Sequence, residues 1–498
     1  MKQVLDKMKL VLLLLCLVLH SAVSTPTRYE PNWESLDARP LPEWYDDGKI
    51  GIFIHWGVFS VPAYGSEWFW FQWLDEKRWY LQDFMKDNYA PSFTYQDFAP
   101  MFHAEFYDPD HWADVLQASG ASHVVFVAKH HEGYTNWPSK FSFSWNSEDV
   151  GPKKDLVGLL ADAVRAKTNL KFGLYHSMFE WYHPLFLQDQ ANGFKTQDFV
   201  QAKTMPELYE LVNKYKPEIV WSDGEWLATD QYWNSTEFIA WLYNDSPVKD
   251  TVVVNDRWGN NTRCAHGGFW NCKDHYVPST LVPHKWESCL TIDRKSWGYR
   301  ADTVLEDVYT IEELIDEVIF TISLGGNILI NIGPTSRGEI PPVFEERLRQ
   351  LGKWLKVNGE AIYKTHVWSN QSDIVAKDVR YTARTEGNAT TVYAILPDWP
   401  ATGNITLGSP IASASTNVSL VGYPGNFQYT SLGSGGITVT LPPIPVSRMP
   451  CEWSYVLRLE GLQNQKTELD ESAYSKNLQA LEMRKDFPMP KVPSFRVV

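Results

Sequence analysis

The sequence predicts an α/β fold: a (β/α)8-like barrel over residues 25–362, followed by a C-terminal antiparallel β-sandwich over residues 363–462. Three observations predict it. Short apolar runs alternate with helical patterns through the first two-thirds of the chain. Nearly every run ends in a polar or charged residue. Helical periodicity then gives way to β-rich pieces separated by Gly and Pro clusters.

The strand candidates of the first region are residues 50–56, 123–128, 170–175, 218–222, 251–255, 285–292 and 327–332. Between them, residues 155–167 place Leu156, Leu159, Leu160, Ala163 and Val164 at the i, i+3, i+4 spacing of one buried helix face. Residues 204–215 repeat the pattern with Leu208, Leu211, Val212 and Tyr215, and Thr204 is positioned as an N-cap. Strands alternating with helices imply parallel pairing, and this length and count favour a barrel.

The runs end at His55, at His130 with His131, at Tyr175 with His176, at Asp223, at Asp256 with Arg257, and at Glu287. A parallel barrel gathers its strand ends at the C-terminal mouth, where active sites are built. Charged residues also begin ordinary loops, but repetition over six elements favours a site. In the second region, residues 390–396, 417–421, 436–441 and 453–459 read as strands of the sandwich. Residues 463–498 are charged and interrupted at Pro488, Pro490 and Pro493, which predicts a flexible tail.

Composition removes some functions. The 498 residues carry 45 Lys plus Arg against 60 Asp plus Glu, a formal charge of −15, so the basic footprint of a nucleic-acid partner is missing. The 23 Trp, 24 Tyr and 24 Phe fit sugar stacking and a large aromatic core equally well. Lys2, Lys7 and Lys9 precede the apolar run 10–19, and Ala22-Val23-Ser24 offers small residues for cleavage. Residues 1–24 therefore read as a secretory signal peptide. No later stretch is apolar enough to span a bilayer, which predicts a soluble protein of the secretory pathway.

Cys264, Cys272, Cys289 and Cys451 remain after the signal, an even number with three possible pairings, of which Cys264 with Cys272 is the local one. Sequons at Asn234, Asn260, Asn370, Asn388, Asn404 and Asn417 are expected to carry glycans. A seventh at Asn244 is compromised by the following Pro247.

Cleaving a glycosidic bond requires a pair of carboxylates. Asp223 closes a strand in Trp221-Ser222-Asp223-Gly224-Glu225-Trp226, bracketed by two Trp. Glu287 follows Trp286, where partial desolvation would raise its pKa and keep it protonated as an acid. Either carboxylate could also simply cap a loop. Glu225 shares the face of Asp223 on a continuing strand, which makes it a competitor for a catalytic role, but it reads rather as a supporting loop carboxylate. Residues 68–73 read as a mixture of pocket wall and core, and Asp256 as a group orienting Arg257.

The wording of the motifs is more specific. I-G-I-F-I-H-W-G-V-F begins at Ile50, Y-G-S-E-W-F at Tyr64, A-K-H-H-E-G at Ala128 and G-L-Y-H-S at Gly173. W-S-D-G-E-W at Trp221, N-D-R-W at Asn255, H-K-W-E at His284 and S-W-G-Y at Ser296 follow in order. Over roughly residues 28–460 the chain resembles the animal-type α-L-fucosidases of glycoside hydrolase family 29. The resemblance implies a retaining exo-α-L-fucosidase, with Asp223 as nucleophile and Glu287 as acid/base. It implies fucose binding by His55, Glu67, Trp68, His130, His131, Tyr175 and Arg257. Fucosylated glycans would be the substrates, with no cofactor and no metal. A homo-oligomer, commonly a tetramer, and a lysosomal or secreted location are also implied.

These binding roles are chemically reasonable, because His, Glu67 and Arg257 can hydrogen-bond sugar hydroxyls and Trp68 can pack on the ring and its methyl. One conflict stands out. Neighbours on a strand face opposite sides, so His130 and His131 can both point inward only if the strand has ended or bulged there. His130-His131-Glu132 lacks the His-x-x-x-His spacing of a helical metal site. The alternative function is a catalytically silent fucose-binding extracellular protein on the same fold. A retaining glycosidase for β-D-fucose or α-L-galactose is a further alternative, decided by pocket shape.

Overall fold

A computed structural model describes residues 28–278, 281–433 and 435–465. The signal peptide expected at 1–24 lies outside the described residues, as does the tail beyond residue 465.

Seven strands form one parallel sheet: β1 (Ile50–Ile54), β2 (His123–Lys129), β3 (Lys171–Ser177), β4 (Ile219–Asp223), β5 (Val253–Val254), β6 (Glu287–Thr291) and β7 (Asn327–Ile332). Their order is β5-β4-β3-β2-β1-β7-β6, the circular order of a barrel with one interval, between β5 and β6, left without a regular strand among the described residues. Residues 268–271 occupy that interval. The Gly268 and Phe269 amides donate to the Val254 carbonyl of β5, while Trp270 N–H donates to Lys285 O and Glu287 N–H to Trp270 O, both at 2.8 Å. An irregular segment thus serves as the eighth stave, and the fold is (β/α)8-like with seven true strands.

All seven strand positions agree with the sequence reading to within a few residues. The helix expected at 155–167 forms as Leu156–Lys167, capped by the Asp155 side chain on Gly158 N–H. Leu159 is a correction: it is 40% exposed. The buried arc runs through Leu156, Val157, Leu160, Ala161, Ala163 and Val164, and Leu159 falls just outside it. Thr204 is not an N-cap either. A π turn at Val200–Thr204 runs straight into the helix Met205–Tyr215, and the Thr204 hydroxyl donates to the Met178 carbonyl.

Period-two alternation divides each barrel strand between two cores. Ile52, Ile54, Val124, Phe126, Val220, Leu290, Ile328 and Ile330 face the helices. Phe53, Val125, Val127, Tyr175, Ile219, Trp221, Val253, Cys289 and Leu329 fill the lumen together with Tyr45 and Phe269. The lumen is therefore packed below its mouth.

After the helix Pro342–Asn358, two antiparallel sheets follow: β11 (Asn417–Leu420), β14 (Tyr455–Glu460), β9 (Ala389–Leu396) and β8 (Arg380–Glu386) in one, β10 (Asn404–Leu407), β13 (Ile437–Thr440) and β12 (Tyr429–Ser431) in the other. Residues from both sheets, including Leu396, Leu407, Val418, Ile437, Val439 and Leu457, share one core, which makes this a sandwich. The sequence reading missed β8, β10 and β12. Trp354 of the last barrel helix donates to Ser454 O at 2.9 Å, tying sandwich to barrel. Among the described residues no helix is long and apolar enough to cross a membrane. Of the expected glycan sites, Asn260, Asn388 and Asn404 are exposed and Asn234, Asn370 and Asn417 half-buried. Asn244 exchanges two hydrogen bonds with the Tyr29 backbone.

Candidate active site

A cavity of about 300 Å³ opens at the C-terminal mouth, at the lower end of small-ligand sites and suited to a single sugar. His55, Glu67, Trp68, His130, His131, Tyr175, Asp223 and Arg257 all line it. Glu287 does not.

Asp223 ends β4, and Gly224 makes the turn that follows, at φ +77°, where a Cβ would lie 2.6 Å from the Phe179 ring. The Asp223 carboxylate accepts from Arg257 Nη1 and from the Tyr175 hydroxyl, both at 2.9 Å. Burial alone would raise its pKa, but the Arg257 and Arg263 guanidinium charges and these hydrogen bonds outweigh burial and hold it below the ordinary carboxylate value. It is an ionised group presented to the cavity. Arg257 lies over the Trp221 ring, 4.7 Å from its centroid, and its second nitrogen donates to Asp274 at 2.6 Å.

The histidine conflict resolves as the sequence allowed. The pairing of β2 with β3 shifts register between Val127 and Lys129, and β2 ends at Lys129. Lys129 turns into a buried ion cluster with Glu180 at 3.0 Å and Glu207 at 2.8 Å, which anchors the strand end. His130 and His131 then both reach the cavity. The His131 Nδ1–H donates to Ser177 Oγ, whose own hydrogen goes to Phe179 O. His131 Nε2 lies 3.7 Å from Asp223. His55 donates from Nδ1 to Asn331 Oδ1 at 2.7 Å, because the Asn331 amide nitrogen is committed to Thr291 and the Trp297 carbonyl. Burial, and then the neighbouring His130, lowers the His55 pKa to about 3, and burial lowers that of His131 well below its usual value. Both rings are neutral, each with Nε2 left as an acceptor for a sugar hydroxyl.

Glu67 Oε2 accepts from Ser296 Oγ, Trp297 N–H and Gly298 N–H at 3.0–3.2 Å, which fixes the carboxylate against the wall of the cavity. Trp68 and Trp226 stand nearly parallel, 6.2 Å between centroids, as an aromatic wall.

Glu287 is misplaced by the sequence reading for a physical reason. It opens β6 rather than closing it, so it sits at the bottom of the lumen, level with Asn327 at the start of β7. Glu287 and Cys289 point the same way, and it is Cys289, with Trp221, that forms the cavity floor. Beneath that floor Glu287 is 1% exposed and accepts from Tyr45 Oη at 2.8 Å and Trp221 Nε1 at 3.0 Å. Burial raises its pKa to about 7.

A third carboxylate on the cavity, besides Asp223 and Glu67, is one the sequence reading missed. Asp274 lines the cavity with its side chain 49% exposed at the rim, and one guanidinium bridges it to Asp223. Arg263, Lys273, Trp221, Trp226, Trp297, Cys289 and Phe53 were missed as well. Trp226 and Trp297 lay inside quoted motifs; Arg263, Lys273 and Asp274 belong to an irregular loop with no periodic signal. Cys264 and Cys272 form a disulfide at the base of that loop, Cα atoms 5.0 Å apart, leaving Cys289 and Cys451 as free thiols. Glu225 is buried and bonded to Arg263, and burial raises its pKa, which suits the supporting role expected of it. Asp256 does not touch Arg257 through its carboxylate but binds loop amides.

A parallel barrel whose mouth holds an ionised carboxylate, a second carboxylate on a shared arginine, hydroxyl-binding histidines and an aromatic wall defines a glycoside-hydrolase class of site. The chain belongs to the alpha-L-fucosidase family: the family model described as Alpha-L-fucosidase matches residues 16–360, and that of the Alpha-L-fucosidase C-terminal domain matches 371–460. It is 54% identical to the tissue alpha-L-fucosidase of Homo sapiens over 91% of this chain and 97% of that one. It is 55% identical to the plasma alpha-L-fucosidase of Homo sapiens over 89% and 94%. A solved Thermotoga maritima alpha-fucosidase in complex with fucose superposes with TM-score 0.73 at 30% identity, covering 87% of this chain and all of that one.

Proposed function

We propose that the protein is a retaining exo-α-L-fucosidase in which Asp223 is the nucleophile and Asp274, in place of Glu287, is the acid/base. The family membership supports the reaction. The observation that carries the assignment is the single Arg257 guanidinium holding Asp223 and Asp274 at the cavity.

An Asp223 oxygen attacks the anomeric carbon while Asp274 gives its proton to the departing glycosidic oxygen. The covalent fucosyl–Asp223 ester forms as the aglycone leaves as an alcohol. Asp274, now a carboxylate, takes a proton from water, which attacks the same carbon and releases fucose and Asp223. An acid that changes role each cycle must exchange protons with solvent and reach the leaving group, and the rim position of Asp274 suits both. Glu287, sealed below Cys289 and Trp221, meets neither requirement. His55, His130, His131 and Glu67 are read as hydroxyl-binding groups, and Trp68 with Trp226 as the wall for the apolar face of the sugar. The small cavity fits removal of one terminal sugar.

The wider reading includes fucosylated glycans as substrates, assembly as a homo-oligomer such as a tetramer, and export through a cleaved leader to the lysosome or the exterior. It is supported by the charged-then-apolar N-terminal sequence, the disulfide and the tissue and plasma relatives. The direct test is fucose release from an aryl α-L-fucoside and from fucosylated oligosaccharides by the purified protein. Release of fucose from both, with the α-anomer as first product, is expected. A folded protein that binds fucose and releases none would replace the enzyme reading with the silent fucose-binding one.

A further inference from the structure

We propose that Asp256 is a positioning residue that clamps the loop carrying Asp274 and Arg263 to the barrel. The proposal rests on the reading of Asp274 as the acid/base.

Asp256 follows β5 and is completely buried, yet it does not line the cavity. Its Oδ2 accepts from the Cys264 amide at 2.7 Å and the Cys272 amide at 3.0 Å, and its Oδ1 from the Asn271 amide at 3.0 Å. One carboxylate therefore binds backbone N–H groups at both ends of the disulfide loop. Cys264 and Cys272 sit at φ +55° and +52°, conformations that L-residues hold only when their surroundings over-determine them. A buried anion facing a ring of amides provides that constraint. The Asp256, Cys264 and Cys272 ligand atoms are grouped closely enough for a metal, but both sulfurs are consumed in the disulfide.

The residues flanking the clamp are those that meet the catalytic groups. Arg263, just before Cys264, bonds Glu225 and lies 3.9 Å from Asp223. Asn271, just before Cys272, accepts from Arg257 and donates to the Glu287 carbonyl. Two residues beyond Cys272, Asp274 meets the same arginine at 2.6 Å. The segment also leads on from the eighth stave at 268–271. In a barrel that lacks a regular eighth strand, the clamp supplies rigidity that a strand would otherwise give to this side of the mouth.

Asp256→Asn keeps the size but turns one acceptor into a donor facing amide hydrogens. Small displacements of a catalytic group cost up to about 100-fold in rate. The expected result is a kcat loss of about 10- to 100-fold on a fucosyl disaccharide, whose poor leaving group needs the acid. On an activated aryl α-L-fucoside kcat is expected to fall by only a few-fold, with KM little changed. Equal losses on both substrates, or none, overturn the clamp. Asp274→Ala runs alongside: if it lacks leaving-group dependence, the acid/base reading fails, whereas if it shows the dependence and Asp256→Asn does not, only the clamp fails. Circular dichroism and a thermal melt accompany each variant. Should Asp256→Asn not fold, the Cys264→Ser/Cys272→Ser double variant, which loosens the same loop base, must show the same substrate split, and its failure to do so overturns the proposal.

Discussion

Two acidic side chains project into the same barrel, and their surroundings give them opposite properties. Asp223 sits at the mouth among cations and a tyrosine hydroxyl, ionised and open to the cavity. Glu287 lies below the Trp221 and Cys289 floor, bonded to neutral donors and pushed toward the protonated form. A glutamate beside a tryptophan with a raised pKa has the sequence profile of a catalytic acid. Burial without access produces the same profile in a structural group. Access to the cavity, not the pKa, separates the two, and it is the ground on which the acid role is proposed for Asp274.

The largest effect expected from breaking this comparison is at Asp223. Asp223→Gly removes the attacking oxygen and should lower kcat by roughly 10⁴-fold or more on an aryl α-L-fucoside. Azide should restore turnover by occupying the vacated space and forming its own bond to the anomeric carbon, giving a fucosyl azide of inverted configuration. Activity within about tenfold of the parent would remove Asp223 from the nucleophile role.

Asp274→Ala set against Glu287→Gln sharpens the mouth-versus-floor distinction directly. Loss of a general acid typically costs about 10²–10⁴-fold, concentrated on substrates with poor leaving groups. Asp274→Ala should show that dependence in a plot of log kcat against leaving-group pKa. Glu287→Gln should give a flat plot. A steep plot for Glu287→Gln and a flat one for Asp274→Ala would restore the role that the family resemblance gave to Glu287.

The same contrast explains what the sequence made legible. The barrel strands stood out because each is an apolar run buried on both faces and stopped by a polar residue. Asp223 was found because it ends such a run. Glu287 was placed at the wrong end of its strand because H-K-W-E stands at the beginning of its run, and only the register with β7 shows which end of the barrel that is. Asp274 had no signal, since it lies in an irregular loop closed by a disulfide, with three backbone N–H groups hydrogen-bonded to Asp256 and one arginine on its carboxylate, rather than in a periodic element. In the sandwich, β8 was overlooked although Tyr381 and Ala383 alternate inward, because its Arg, Thr and Glu dilute the apolar pattern. The four-residue β10 and three-residue β12 were too short to register.

The smallest expected effect is on stability, and it tests the floor layer alone. Burial raises Glu287 from an ordinary 4.5 to about 7. Between those values the folded protein binds a proton that the unfolded chain releases, so this group's contribution is fully present below about pH 4.5 and is lost as the pH climbs through 7. The interval corresponds to about 3 kcal/mol. Glu287→Gln cannot ionise, so its stability relative to the parent should rise steadily across that window, read as the difference in urea midpoint between pH 4.5 and 7.5. The parent would then be favoured by acidic surroundings through a residue below the cavity floor, while Asp223, held ionised by Arg257, contributes no such slope there. A parent-minus-variant difference that stays constant with pH would mean that Glu287 is already ionised in its buried site. Tyr45 and Trp221 would in that case stabilise the charge outright, and the floor would be a second anionic layer beneath Arg257.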